Sequence, residues 1–345
     1  MRFICDYLVR QGHLVSLLTE QYQPLTFDHS YPIITIPIYT GGLFDWLFKT
    51  IWTLLTDWHN KAFARKSLQL SAIRNQPFDA VLCSAFSDFP LGAALQIARA
   101  LQVPLLCDIR DLDEQVDNSR YQYKHQSAWL MPFRRLYRAI HIRRRNKVLR
   151  AAQAITTVSD WHADFIRTFN SNVQVVYNGF DDRQFYPKDI RTNEFKITYI
   201  GSLFEWQKPA LEQVQHIADE LQIPLEMHTP QHHPITHEAL GDAIRQSSIM
   251  LVLTGEHTHG MLTTKFYEAL GCEKPVLCVP SDKGSLANLI AYTNAGIATD
   301  DTEAIKTFLR EKYKEWQQNG FTRQAVQHRD EFRKEKQVQT MEALL

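Results

Sequence analysis

The 345-residue chain carries 38 Lys and Arg against 38 Asp and Glu, so its formal charge is zero. Hydrophobic residues make up 44% and charged residues 22%, a soluble globular balance in a chain long enough for two cores. That balance argues against a disordered chain and against a partner recruited through a global field, such as nucleic acid.

No apolar run approaches the length of a membrane span and no signal peptide is visible, so a cytoplasmic protein is expected. The five cysteines, Cys5, Cys83, Cys107, Cys272 and Cys278, are odd in number and sit mostly in apolar runs. Buried reduced thiols suit that pattern better than a disulfide framework. No Cys/His spacing suggests zinc; His228, His232, His233 and His237 lack a cysteine or carboxylate pattern, and no metal is expected.

In chain order, residues 3–11 read as an amphipathic helix ended by Gly12-His13, and 14–18 as a strand. Residues 41–58 are apolar at helical spacing, with Trp46, Leu47, Ile51, Leu54, Leu55 and Trp58 near one stripe. They fit a helix packed on its own domain, or an interfacial surface; Asp45 and Lys49 exclude a span. Residues 78–84 and 103–107 read as parallel-type strands around a helix ending at Leu101, the second strand running into Asp108-Ile109-Arg110-Asp111. Arg110 and Asp111 are either sugar-contacting residues or a structural pair at a strand end.

Residues 118–159 hold ten basic side chains (Arg120, Lys124, Arg134, Arg135, Arg138, Arg143, Arg144, Arg145, Lys147, Arg150) and no acid. The stretch from Arg134 to Arg150 reads as a solvated helix face or as a surface for an anionic membrane. Residues 154–159, 161–169 and 173–181 read as strand, helix and strand, with Asn178-Gly179 supplying a positive-φ turn. The polar residues 183–194 read as a linker between a first domain, 1–182, and a second, 195–320, with 321–345 a closing helix.

In the second half, residues 195–201 form a strand ending at Gly201, followed by Ser202 and, several places on, Lys208. The apolar run 249–254 is another strand. A loop through Gly260, Met261 and Leu262 leads to Thr263 or Thr264 as N-cap of a helix through Leu270. Residues 276–279 are the next strand, and Ser285 opens another helix. Repeated strand–loop–helix units suit a parallel sheet that binds ligands at its carboxyl edge. Glu268 then lies in the second helical turn facing the loop, while amides around Gly260 to Thr264 and the nearby Lys265 favour phosphate. An acid beside an anion-binding helix end suggests a sugar nucleotide, with the carboxylate on ribose hydroxyls.

The segment Lys265, Phe266, Glu268, Ala269, Leu270, Gly271, Lys274, Pro275, Val276 resembles the donor-site signature of retaining glycosyltransferases of family 4, which have the GT-B fold. Residues 154–181 and the Gly201/Lys208 loop are similar to further blocks of that family, which together cover nearly the whole chain. The resemblance implies an α/β protein of two Rossmann-like domains with parallel sheets facing an interdomain cleft, the last helix returning to the first domain. It implies a hexosyl-type glycosyltransferase moving a sugar from a nucleotide-diphosphate donor to a hydroxyl of a saccharide or lipid-linked acceptor, with retention and without a metal. Cell-surface polysaccharide or glycolipid assembly, on the inner face of the membrane, would be the setting.

Donor contacts would come from Gly201, Ser202, Lys208, Gly260, Met261, Leu262, Thr263, Thr264, Lys265 and Glu268. Arg110 and Asp111 would stand at the reacting sugar. Three departures follow the same comparison. The first strand and glycine loop have no counterpart ahead of residue 3, either because the start lies downstream of the true one or because the sheet lacks a strand. Ser202 replaces an arginine. Gly260 stands where many relatives have a first glutamate, with Glu256 and His257 as loop alternatives. A silent sugar-nucleotide-binding subunit, a GT-B epimerase and a membrane-docking scaffold are the alternatives.

Overall fold

The computed structural model describes all residues except 21–28, 39–42, 86, 113, 115–130 and 256–257. Arg120, Lys124, Glu256 and His257 therefore lie outside the described residues, as do the side chains of Trp46, Leu47 and Arg134. The chain forms two compact units: residues 1–158, 162–176 and 338–345, then residues 159–161 and 177–337.

The first unit contains α1 (Arg2–Arg10), β1 (Leu17–Thr19), β2 (Ile33–Thr35), α2 (Leu43–Thr56), α3 (Trp58–Gln69) and α4 (Ser71–Arg74). It continues with β3 (Val81–Ser84), α5 (Leu91–Leu101), β4 (Leu105–Ile109), α6 (Met131–Ala151), β5 (Ala154–Thr157), α7 (Asp160–Arg167, shared at its start with the second unit) and β6 (Val173–Val175). Its strands form two parallel sheets, β1-β2 and β3-β4-β5-β6. β4 is buried at all five residues and β5 at all four, as central parallel strands covered on both faces should be. Cys107, Ile109, Leu149, Ile155 and Ile166 form one core. Ile4, Tyr7 and Leu8 of α1 form another with Leu106, Ala154, Val338 and Met341.

The helix expected over 41–58 is α2, which ends at Thr56. Asp57 takes a left-handed conformation (φ 59°) and separates α2 from α3, so Trp58 opens the next helix; a short polar side chain tolerates positive φ there.

The second unit contains β7 (Ile197–Ile200), α8 (Lys208–Glu220), β8 (Leu225–His228), α9 (His237–Gln246), β9 (Ile249–Leu253) and α10 (Thr264–Gly271). β10 (Val276–Val279), α11 (Ser285–Tyr292), β11 (Gly296–Ala298) and α12 (Thr302–Asn319) follow. Its five strands are all parallel, in the order β11-β10-β9-β7-β8. The chain passes from β7 to β8 on one side and then to β9 on the other. The order therefore reverses at β7 and β9, whose carboxyl ends flank the position where open α/β sheets take ligands.

Residues 177–194 belong to this second unit, because Phe180 and Phe185 anchor the polar stretch in a core with Phe266, Tyr267 and Leu270. Gly179 has φ +59°, and a Cβ there would meet the Phe332 carbonyl at 2.6 Å, so the Asn-Gly turn is a backbone junction. In place of one helix over 321–345 there is a 3-10 turn at Arg329–Phe332 and then α13 (Lys334–Glu342). Upstream of it the backbone spends its donors on loops: Gln324 N–H on Glu273 O (2.8 Å) and Gln327 N–H on Thr293 O (2.7 Å).

All five cysteines are free and buried, and burial pushes the Cys83, Cys272 and Cys278 thiols up to about 12. Lys274 of the Gly-x-x-Lys-Pro segment is also buried, donating to Thr322 O at 3.1 Å. Desolvation lowers its ammonium to about 8. Between that value and the ordinary lysine range the unfolded chain holds a proton the folded chain has released, so raising pH through this window favours folding. We expect wild-type stability, measured against Lys274→Met by urea denaturation, to gain about 3 kcal/mol from pH 8 to 10.5. Parallel pH curves for the two proteins would rule out the buried ammonium.

Candidate functional site

The loops after β7 and β9 are tied together at the carboxyl edge of the second unit's sheet. Tyr199 at the end of β7 donates its hydroxyl to Ser202 O at 2.6 Å. Gln207 donates to Leu253 O at 2.9 Å and accepts from Phe204 N–H at 3.0 Å, so one side chain joins the two loops. Trp206 lies on Gly255, where a Cβ would come within 2.9 Å of the indole.

Of the expected donor contacts, the structure brings Gly201 and Lys265 together from distant parts of the sequence. Gly201 has φ +125°, and a Cβ on it would lie 2.7 Å from Lys265 Cε and 3.0 Å from Nζ. The same ammonium sits 5.2 Å from the centre of the Tyr199 ring, a favourable place for a cation over an aromatic face. Only a residue without a side chain leaves Lys265 this position.

Lys265 lies in the first turn of α10, whose Thr263 N-cap accepts from the Lys265 amide at 3.4 Å. One turn later stands Glu268. Desolvation raises the Glu268 carboxyl, opposed by the charges of Lys334, Lys265 and His237 and by a hydrogen bond from Thr264. Desolvation lowers Lys265, opposed by Glu268. Both groups are thus held toward their neutral forms by loss of water, and their mutual attraction offsets this only in part. A ligand presenting hydroxyls to one and phosphate oxygens to the other restores what burial removed.

Other expected contacts are arranged differently. Lys208 opens α8 half-exposed and pairs with Glu205 at 2.8 Å, so Lys265 is the lysine that stands beside Gly201. The Met261 amide is not free for phosphate, because it donates to Thr258 O at 2.9 Å. Leu262 is half-buried against the core under α10. Gly260 is covered by Trp161: a Cβ there would lie 1.9 Å from the indole, so no side chain fits while that ring stays. Trp161 went unnoticed in the sequence, since 99 positions of chain separate it from Gly260 and no motif joins them. The loop 258–263 is fixed to the next one by His259, whose ring meets Asp282 O at 2.7 Å and whose carbonyl accepts from Ser285 N–H at 2.7 Å. Asp282, buried, caps α11 by accepting from Leu286 N–H (3.0 Å) and Ala287 N–H (2.8 Å).

In the first unit Arg110 donates through Nε to Asp108 Oδ2 at 2.9 Å, and Asp111 is exposed. Asp108, which the sequence does not single out, is buried and also accepts from Ser84 Oγ and Thr156 Oγ1, each at 2.9 Å. It positions Arg110. In the basic stretch, Arg145 is buried against Glu114, and Arg144 donates to Thr53 O (2.9 Å) and Leu54 O (2.8 Å). These two are structural rather than part of a solvated face. Among the described residues, no group of three or more His, Cys, Asp or Glu could hold a metal ion. Nor is any helix among them long and apolar enough to cross a membrane.

Comparison with known proteins adds the family. The chain resembles HepE of Anabaena, solved in complex with UDP-glucose, at TM-score 0.52 and 11% identity over 94% of this chain and 93% of that one. It resembles the catalytic domain of starch synthase IV of Arabidopsis thaliana, bound to ADP and acarbose, at TM-score 0.52 and 10% identity over 99% and 93%. At such identities the likeness concerns the fold, which is GT-B. No curated protein sequence matches the chain. The sequence model of Glycosyltransferase Family 4 matches residues 1–184, more than half of the chain, and the protein is a member of that family.

Proposed function

We propose that the protein is a retaining glycosyltransferase that takes a sugar from a nucleoside-diphosphate donor and transfers it to a hydroxyl of a saccharide or lipid-linked acceptor. The reading is supported chiefly by Lys265, which the side-chain-free Gly201 admits to the switch point of the second unit's sheet, one helical turn from the desolvated Glu268. In this reading Lys265 and the amides at the start of α10 take the diphosphate, with Ser202 beside them. Glu268 takes the ribose hydroxyls. Charge on the leaving diphosphate is met by these groups without a metal. Arg110, held by Asp108, and Asp111 serve the reacting sugar. The work is done in the cytoplasm, in building cell-surface polysaccharide or glycolipid. The bound donors of HepE and starch synthase IV are consistent with this ligand class.

A second reading has one observation in its favour. Trp161 occupies the space over Gly260, where a carboxylate would otherwise approach the donor sugar, and this suits a subunit that binds a sugar nucleotide without turning it over.

A thermal-shift screen over uridine, adenosine, guanosine and thymidine diphosphates and their sugars tests the donor site. At a ligand concentration a hundred times Kd, stabilisation of about 2.7 kcal/mol is expected for at least one base. Silence across the whole screen would sink the donor site. Proton NMR of the product formed with acceptor then separates the readings: a retained anomer supports transfer, an inverted one removes retention, and binding without product selects the silent subunit. Donor interconversion without acceptor would instead identify an epimerase.

A further inference from the structure

The sequence left the basic stretch and the apolar stretch 41–58 as separate possibilities; in the first unit they adjoin. Arg144 of α6 bonds the carbonyls of Thr53 and Leu54, which anchors α6 against the last turn of α2. Each helix also leaves large apolar side chains in solvent, on α2 within a turn of that contact and on α6 in the first two turns. On α2 these are Ile51 (51% exposed), Trp52 (44%) and Leu55 (68%), at the spacing of one helical face. On α6 they are Phe133 (69% exposed), Leu136 and Tyr137. We propose that the exposed faces of α2 and α6 together form a docking surface for an anionic lipid bilayer.

The charge pattern selects this occupant. Spacings of three, four and seven residues place Arg143, Lys147 and Arg150, all exposed, on the same stripe of α6 as Leu136. The stripe is apolar in the helix's first turns and cationic thereafter, and α6 contains no acid over its 21 residues. α3, which packs against α2, also lacks acids, and its Lys61 and Arg65 line an open groove with Arg99 of α5. Pairing α6 or α3 with its own copy would oppose cations, since neither helix carries an acid. A bilayer offers acyl chains to Trp52, Leu55 and Phe133 and anionic headgroups to the arginines. A nucleic acid would satisfy the cations and leave the apolar residues in water.

The test is co-sedimentation of the full chain with phosphatidylcholine vesicles, with and without phosphatidylglycerol, at low and high salt. Binding is expected only with the anionic lipid and is expected to weaken with salt. Arg143→Glu/Lys147→Glu should lower the partition on the order of 25-fold, about fivefold per lost cation. Ile51→Ser/Leu55→Ser should lower it tenfold or more while leaving the melting temperature of the free protein unchanged. Because every native cysteine is buried, Leu55→Cys can be labelled selectively with a polarity-sensitive dye. Its emission should shift to the blue when anionic vesicles are added, a readout that needs no second variant. Equal binding to neutral vesicles, a dye that ignores vesicles, or binding indifferent to both double variants overturns the proposal. Concentration-dependent self-association abolished by Ile51→Ser/Leu55→Ser, with no vesicle binding, assigns the face to a second copy and overturns it as well.

Discussion

Asp108→Ala is expected to destabilise the protein by about 2–4 kcal/mol, the cost of taking a buried acceptor from the hydroxyls that point at it. Asp108 is fully buried in β4, the strand between β3 and β5, and both of its carboxylate oxygens accept hydrogen bonds. Its Oδ2 accepts from Ser84 Oγ and from Arg110 Nε, and its Oδ1 from Thr156 Oγ1. Alanine would take this acceptor from the hydroxyls of Ser84 and the buried Thr156, and a buried donor left unsatisfied carries a penalty of about 1–3 kcal/mol; Arg110, 31% exposed, keeps access to water. Asp108→Asn, which keeps the volume but turns one acceptor into a donor, should fall between wild type and alanine. Urea denaturation decides this: a loss below about 1 kcal/mol for Asp108→Ala would mean the network is not a stabilising element. Loss of acceptor-dependent turnover in Asp108→Asn, with donor binding kept, would tie the same carboxylate to holding Arg110.

The sequence pointed to Arg110 and Asp111 and passed over Asp108 because the reason for Asp108 is nonlocal. Ser84 and Thr156 are 24 and 48 residues away. Strand register alone makes them neighbours, with Ser84 opposite Asp108 on one side and Thr156 opposite it on the other. Apolar runs such as 249–253 and 276–279 were legible as buried strands because both faces of a parallel strand are covered, which leaves an unbroken hydrophobic signature. The helix break at Asp57 and the extended path after Phe321 were not legible. Both depend on backbone conformations or loop hydrogen bonds that hydrophobic spacing does not encode. Lys208 and Lys265 were both legible as candidate phosphate ligands, but their surroundings were not. Lys208 forms a solvent-exposed pair with Glu205, three residues before it, while Lys265 lies against Gly201.

Replacing Lys265 and Glu268 together should therefore weaken binding of the preferred nucleoside diphosphate sugar by at least a hundredfold. Each alanine is expected to cost tenfold or more, since a charge-assisted contact contributes about 1.5–3 kcal/mol. If the lysine holds phosphate and the carboxylate holds ribose, the two losses fall on different groups of the ligand and their free energies should nearly add. Lys208→Ala, with its half-exposed lysine already paired to Glu205, is expected to cost less than either. The carboxylate adds a pH signature. Burial raises Glu268, so it takes up a proton at higher pH than an ordinary glutamate. A ribose hydroxyl donates best to the ionised form, so affinity should fall as pH is lowered through this raised value. The fall should begin above the usual carboxylate range, and Glu268→Gln should flatten it. Isothermal titration across pH with wild type, the two single alanines, the double and Glu268→Gln measures all of this. Single variants that bind like wild type would remove Glu268 and Lys265 from the donor site, and a pH profile unchanged in Glu268→Gln would remove the carboxylate from ribose binding. A strongly non-additive double would instead mean that the two side chains support one another rather than separate parts of the ligand.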